Sequence, residues 1–216
     1  MRGLSDKIMQ RLIWILLALA LFFLGSAFYI PAKAILAQFL LQQAWAQTLA
    51  SHGQINKPWP WADTWPVARL LVPAHHIDQI VLEGDTGNSL AFAPGQSLQS
   101  YVDKDTGAIL ISAHRDTHFR FLKDVALGET ITLQQEEGEV ERYQVQDLQI
   151  IDTRYGSVAL PKTGKWLVLV TCYPFDALRP GGTQRYVVTA EAQSAIAESK
   201  LPIYKGVQHV SLHPFH

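Results

Sequence analysis

The feature that most constrains this chain is an uncharged apolar segment near its N-terminus. Residues 12–30 read LIWILLALALFFLGSAFYI and contain no charged side chain. At a rise of 1.5 Å per residue, a helix of this length extends about 28 Å, which is close to the hydrocarbon thickness of a bilayer. The sequence therefore predicts one membrane-spanning helix, with the rest of the chain folded beside the membrane.

The charges that flank this segment predict its orientation. Arg2, Lys7 and Arg11 precede it, whereas Lys33 is the basic residue that follows closely. Because cytoplasmic flanks carry an excess of Lys and Arg, we expect a cytoplasmic N-terminus and an external domain. A cleaved signal peptide is the alternative, since residues 32–34 (AKA) resemble a cleavage site. The apolar stretch is longer than the roughly 7 to 15 residues of a signal-peptide core, which favours an uncleaved anchor.

Composition divides the chain into five parts. They are an N-terminal tail (1–11), the transmembrane anchor (12–30), a juxtamembrane helix with a Trp- and Pro-rich linker (31–66), a folded domain (67–192) and a C-terminal tail (193–216). Trp59, Trp61 and Trp65 of the linker would be costly to leave in water. We expect them to pack against the domain or at the membrane interface.

The folded domain has the pattern of a β protein. Short apolar or alternating runs recur between turn signals, among them AILISAH (108–114), WLVLVTC (166–172) and RYVVTA (185–190). Helical pattern is limited mainly to HFRFLKDVALG, which suggests a short helical turn. The sequence predicts a mainly β domain, either a sandwich or a closed barrel, behind one membrane helix.

Charge and cysteine content exclude several functions. The formal net charge is -1, with 18 Lys and Arg against 19 Asp and Glu, and no basic stripe stands out, so no nucleic-acid partner is expected. Cys172 is the single cysteine, which excludes an intrachain disulfide and a cysteine-rich zinc site. No metal or cofactor is predicted.

Cys172 ends an apolar run and is either a small core residue or a nucleophile. A nucleophilic cysteine needs a nearby base or cation and a donor for the developing oxyanion. If the strand that begins at Arg185 pairs with the Cys172 strand as a hairpin, Arg185 lies beside Cys172. If the strand that ends near His114 runs parallel to the Cys172 strand, His114 reaches the same rim. A surface loop for His114 and a solvated strand edge for Arg185 are the alternatives.

Three blocks of sequence resemble the sortase family. VLVTC (168–172) is similar to the sortase signature TLxTC, and SAHRDTHFRFL resembles the segment around the sortase catalytic histidine. KPWPWADTWPVARL and TCYPFD are similar to the subclass found in Gram-negative bacteria. The likeness covers roughly residues 55–190, and the three blocks occur in the same order as in the family. Val168 replaces the first Thr of the signature, and Ala113 stands where Gly often precedes the histidine.

The resemblance implies an eight-stranded β-barrel and a membrane-anchored cysteine transpeptidase. By motif position, Cys172 is the nucleophile, His114 the general acid and base, and Arg185 the residue that positions substrate and stabilises the oxyanion. Thr171 is expected to help shape the oxyanion site. The implied partners are a protein with an LPxTG-like C-terminal sorting signal, cleaved between Thr and Gly, an amine acceptor and the inner membrane, with the domain facing the periplasm or exterior. No cofactor is implied.

Two other functions remain open. A cysteine protease or amidase would use the same residues with water as acceptor, and a non-enzymatic membrane-tethered β domain would bind peptides without chemistry. Asp116 is a minor candidate for orienting His114. Residues 160–164 read LPKTG, an LPxTG sequence within the chain itself. We interpret this segment as a turn before the Cys172 strand.

Overall fold

The computed structural model describes residues 2–98, 107–158, 160–161, 163–177 and 182–193. These residues form one long helix followed by a β domain. The helices are α1 (Arg2–Ala50) and α2 (Gly87–Leu90), with short 3-10 helices at Pro73–His75 and Arg120–Asp124. The strands are β1 (Pro66–Val72), β2 (Ile77–Glu83), β3 (Gly95–Gln96), β4 (Ala108–Ser112), β5 (Thr130–Gln135), β6 (Val140–Asp152), β7 (Trp166–Cys172) and β8 (Gln184–Ala192).

Helix α1 is a candidate transmembrane span. It runs for 49 residues and continues through Pro31, so the predicted anchor and juxtamembrane helix are one continuous element. Within the described ranges it is the one helix long and apolar enough to cross a membrane. Its large apolar side chains are exposed along the predicted anchor, from Leu12 to Tyr29. A helix that is apolar around its whole circumference suits a lipid environment better than water.

The second half of α1 packs on the outside of the β domain. Leu41 and Trp45 are buried against Ile80 of β2. Gln38 Nε2 donates a hydrogen bond of 2.7 Å to the carbonyl of Phe92. Each large apolar side chain buried in this way stabilises the contact by about 1.5–3 kcal/mol. The helix that carries the anchor is therefore joined to the domain by side-chain packing as well as by the chain.

The β domain is a closed eight-stranded barrel, which confirms the predicted fold. The strand order is β1-β2-β3-β4-β7-β8-β6-β5, and β5 pairs with β1 to close it. The pairs β2–β3 and β4–β7 are parallel. The two-residue strand β3 had no sequence pattern. Its Gly95 lies so close to β2 that an added Cβ would come within 2.2 Å of the Gly84 carbonyl oxygen, which explains the glycine.

Strand β7 is apolar on both faces because both faces are covered. Leu167 and Leu169 point into the barrel core, whereas Val168 and Val170 belong to a separate outer cluster. Side chains of a strand alternate between faces, so a continuous apolar run requires partners on each side. The outer cluster is Leu110, Val168, Val170 and Val187, with Ile151, Val158 and Leu160 packed against it.

The three linker tryptophans differ in their surroundings. Trp65 packs against the barrel core. The ring of Trp59 lies 5.3 Å from that of Phe92, centroid to centroid, in an edge-to-face arrangement. Trp61 is 83% exposed, so it does not pack against the domain. The other environment expected for these tryptophans is the membrane interface. The predicted tail (193–216) lies outside the described residues except for its first residue.

Candidate active site

The register of the barrel puts Arg185 beside Cys172. Strands β7 and β8 are antiparallel, and Cys172 is directly opposite Arg185. The ladder continues past Cys172, because the Tyr173 backbone N–H donates to the Gln184 carbonyl at 3.0 Å. Cβ atoms of directly opposite residues lie about 4.5–5.5 Å apart. The hairpin expected from the sequence is present, and the Cys172 thiol is half-buried.

The same strand brings in the segment of His114 from its other side. Strand β4 is parallel to β7, with Ser112 paired to Val170. The Ala113 backbone N–H donates to the Val170 carbonyl at 3.2 Å, so the pairing extends beyond the strand end. In this register His114 is the neighbour of Cys172. The parallel arrangement, which the sequence left as an assumption, is present.

All three candidate residues lie at one rim of the barrel. Cys172 follows Val170 by two positions and Arg185 precedes Val187 by two, and both valines belong to the outer cluster. Because side chains repeat with a period of two, Cys172 and Arg185 share this outer face. The His114 side chain is exposed just beyond the end of β4. The register thus brings Cys172, Arg185 and the segment that follows β4, with His114, to the same rim.

Backbone carbonyls hold the guanidinium of Arg185. Its Nη1 donates to the Gly182 carbonyl at 2.6 Å and to the Gln184 carbonyl at 2.9 Å. Both acceptors precede Arg185 in the chain, which restrains the side chain at the rim. A guanidinium fixed in this way presents a planar array of N–H donors that suits an oxyanion.

Thr171 faces away from this rim. Its side chain is 2% exposed, and its Oγ1 donates a 2.7 Å hydrogen bond to the Ala113 carbonyl. The hydroxyl therefore ties β7 to the residue that precedes His114. A part for Thr171 in the oxyanion site, as expected from its motif position, would have to come from its backbone rather than from this hydroxyl.

A second histidine, His118, lies near His114. The chain turns back after His114, whose carbonyl accepts from the Phe119 N–H at 3.0 Å. Gln79 Nε2 donates to the His118 carbonyl at 3.1 Å and fixes the turn to β2. Burial lowers the pKa of His118, and the nearby His114 lowers it further. Sequence reasoning did not single out His118, because its burial depends on how the loop packs in the folded domain.

Asp116 is 69% exposed, and its Oδ1 lies 3.4 Å from Nε of Arg115. It thus pairs with Arg115, and the proposed role in orienting His114 stays a prediction.

Aromatic rings flank the segment that follows Cys172. The rings of Tyr173 and Tyr186 are stacked with centroids 6.3 Å apart, and Phe175 meets Tyr186 edge-on at 5.3 Å. Burial raises the pKa of Tyr186, and Tyr173 raises it further. Phe175 and Tyr186 pack against the barrel core, and Tyr186 is paired with the inward-facing Thr171, so this cluster lies on the core side of the strands. The sequence pattern alone did not predict this cluster.

The internal LPKTG segment lies at the other end of β7. The Thr163 carbonyl accepts a 2.7 Å hydrogen bond from Trp166 Nε1, and Gly164 has a φ of +85°, as in a turn. From Trp166 to Cys172 the strand rises about 20 Å at roughly 3.3 Å per residue. Thr163 and Gly164 are therefore remote from the thiol of the same chain, which agrees with the turn interpretation. Lys162 lies outside the described residues.

Comparison with known proteins identifies the class to which this fold and site belong. The profile of the sortase domain family matches residues 70–193. This region is more than half of the chain, and the protein belongs to the sortase family. Members of the family are cysteine transpeptidases. The matched region contains Cys172, His114, Arg185 and Thr171.

Individual relatives agree with this assignment. Sortase D of Bacillus subtilis (strain 168) is 29% identical over 120 residues, a region that covers 55% of this chain and 60% of that protein. Among solved structures, sortase A from Corynebacterium diphtheriae has a TM-score of 0.54 at 18% identity and covers 74% of this chain and 85% of its own. A Clostridium perfringens sortase D5 transpeptidase has a TM-score of 0.54 at 17% identity, covering 73% and 96%. At such identities the structural likeness shows the shared fold.

Proposed function

We propose that this protein is a membrane-anchored cysteine transpeptidase that cleaves an LPxTG-like sorting signal and transfers the acyl part to an amine. The observation that carries the proposal is the register of three strands around one thiol. Cys172 is paired with Arg185 on β8, and β4 runs parallel to β7 so that His114 follows on the other side. This arrangement supports the assignment of Cys172 as nucleophile, His114 as base and Arg185 as oxyanion donor.

Each residue takes one role in the proposed reaction. His114 accepts the thiol proton, and the sulfur of Cys172 attacks the Thr carbonyl of the Thr–Gly bond. The guanidinium of Arg185 stabilises the tetrahedral oxyanion. The imidazolium of His114 then returns the proton to the leaving Gly amine, and a thioester on Cys172 remains. An incoming amine attacks the thioester, loses its proton to His114 and releases the thiol, so the enzyme is regenerated.

The outer apolar cluster supports the proposal by holding the end of β7 at the candidate rim. The cluster extends along the outer faces of β4, β7 and β8, and Val168 and Val170 are buried in it, with Ile151, Val158 and Leu160 packed against it. Packing on both faces of β7 favours a fixed position for the Cys172 thiol at the strand end.

The membrane arrangement is part of the proposal. Residues 12–30 would cross the inner membrane, with residues 1–11 in the cytoplasm and the catalytic region 67–192 facing the periplasm or exterior. The basic residues before the span support this orientation. The Trp- and Pro-rich linker and TCYPFD support the subclass found in Gram-negative bacteria. Confining enzyme and anchored substrate to one membrane raises their effective concentration.

The test uses the full chain in detergent micelles with LPxTG-like peptides, with and without an added primary amine. The proposal predicts a thioester on Cys172, detected by mass spectrometry, and an amine-capped product. A hydrolysed product alone, whatever the amine concentration, would instead identify a protease or amidase. Peptide binding without cleavage, unchanged in Cys172→Ala, would identify a binding domain and contradict the proposal.

A further inference from the structure

An arginine with a buried side chain directly follows the proposed general base. Arg115 is 4% exposed, although arginine side chains in proteins are mostly exposed and are buried only when paired. Motif similarity assigns it no role. Removing a guanidinium from water is expensive, so contacts that compensate this cost must be well made.

The contacts of Arg115 lead from the histidine segment to the nucleophile segment. Its Nη2 donates a 2.9 Å hydrogen bond to the carbonyl of Ala177. Ala177 lies five positions after Cys172, in the connection between β7 and β8. Asp116 Oδ1 lies 3.4 Å from Nε of the same guanidinium. A single buried side chain thus links the two segments that carry the candidate reacting groups.

This link complements the one made by Thr171. On the strand side, Thr171 Oγ1 and the Val170 carbonyl both bond to the backbone of Ala113. On the loop side, Arg115 bonds to Ala177. The residues immediately before and after His114 are therefore anchored to chain on either side of Cys172. In the chain, His114 lies between these two attachments.

We propose that Arg115 is a positioning residue that fixes the separation and orientation of the His114 imidazole and the Cys172 thiol. It acts through the backbone of the β7–β8 connection, by its hydrogen bond to the Ala177 carbonyl. The inference rests on the proposed function, since it assumes that these two groups react together. Displacement of a reacting group by about 1 Å can lower a rate 10²-fold, so a clamp of this kind affects turnover more than binding.

The test compares Arg115→Gln and Arg115→Lys with Arg120→Gln, an exposed arginine five positions further on. Turnover of an LPxTG-like peptide is measured on the full chain and expressed per Cys172 thiol that a labelling reagent titrates. We expect kcat of Arg115→Gln to fall about 100-fold while KM changes less than about threefold. Arg115→Lys should recover part of kcat, because an ammonium can still donate to the Ala177 carbonyl. Arg120→Gln should match the wild type.

Other outcomes are assigned in advance. If Arg115→Gln lowers only the number of titratable thiols, with kcat per thiol unchanged, the role is structural and the inference is wrong. If Arg115→Gln does not fold, Arg115→Lys decides, and wild-type kcat in that variant overturns the inference. A wild-type protein that cleaves no peptide counts against the proposed function. In that case, the pH dependence of Cys172 alkylation is compared between the wild type and Arg115→Gln. It should change in Arg115→Gln as it does in His114→Ala. An unchanged pH dependence overturns the inference.

Discussion

The two ends of strand β7 use their polar groups in opposite ways. At its start, Trp166 Nε1 donates to the Thr163 carbonyl and Lys165 Nζ lies 2.7 Å from Glu141 Oε1, so these side chains pair with nearby groups. At its end, the hydrogen bonds are made by residues around Cys172, such as Thr171. Polar groups at the start complete a turn, whereas Thr171 at the end ties β7 to the residue before His114, next to the proposed nucleophile Cys172. Substitutions at the two ends should therefore have different consequences.

Substitution of the proposed nucleophile, Cys172, should have the largest effect at the rim. Cys172→Ala is expected to abolish both peptide cleavage and thioester formation, because no other side chain in the sequence has a thiol. The loss of one half-buried sulfur should leave the barrel folded. Product analysis by mass spectrometry and circular dichroism check the two expectations. Residual thioester-dependent turnover in this variant would contradict the assignment.

Arg185 should rank next. Arg185→Ala removes the guanidinium paired opposite Cys172, and the loss of one oxyanion donor typically lowers kcat by about 10²–10³-fold. Arg185→Lys should recover little, because an ammonium does not reproduce the planar donor geometry. Steady-state kinetics on a peptide substrate measure both. Wild-type kcat in Arg185→Ala would show that the oxyanion is stabilised elsewhere.

Substitutions of Thr171, near the end of β7, and of Lys165, just before its start, test the contrast between the two ends. Thr171→Val leaves the buried Ala113 carbonyl without its 2.7 Å partner, which should cost about 1–3 kcal/mol of unfolding free energy and lower kcat. Thr171→Ser, which keeps the hydroxyl, is the matched control. Urea denaturation and peptide turnover measure the two effects. Equal activity in both variants would argue that this hydrogen bond does not orient His114.

Lys165→Met tests the opposite end and should change activity very little. Lys165 is 64% exposed where it pairs with Glu141, and pairs at the surface contribute about 0–1 kcal/mol. Glu141 raises the pKa of Lys165 by a hydrogen bond and by its charge. Because the folded-state pKa is raised, this small contribution is present below the unfolded pKa of about 10.4 and is lost as the pH rises through the folded value. Denaturation of the wild type and of Lys165→Met at pH 8 and above pH 11 checks the sign of this pH dependence. A marked fall in the kcat of Lys165→Met would contradict the contrast between the two ends of β7.

The sequence predicted the barrel and the candidate triad but not the contacts that hold the members of the triad in place. Alternation and turn residues predict strands such as β7, and motif position singles out Cys172, His114 and Arg185. Arg115 lies in the same motif, yet its burial depends on contact with Ala177, 62 positions away in sequence. The two-residue strand β3 is too short to have a period. Local pattern predicts elements, whereas partners that meet only in the folded barrel require coordinates.

The smallest expected effect belongs to His118, the second histidine of the rim. Its pKa is lowered by burial and by His114, so the folded protein resists its protonation. A group whose folded-state pKa lies below its unfolded value of about 6.5 takes up its proton more readily when unfolded, so it destabilises the fold as the pH falls below that value. His118→Gln should therefore flatten the loss of unfolding free energy between about pH 7 and 5. Urea denaturation across this range, with His118→Gln beside His76→Gln as the control, measures the difference. Parallel curves for wild type and His118→Gln would mean that burial of this imidazole does not affect acid stability.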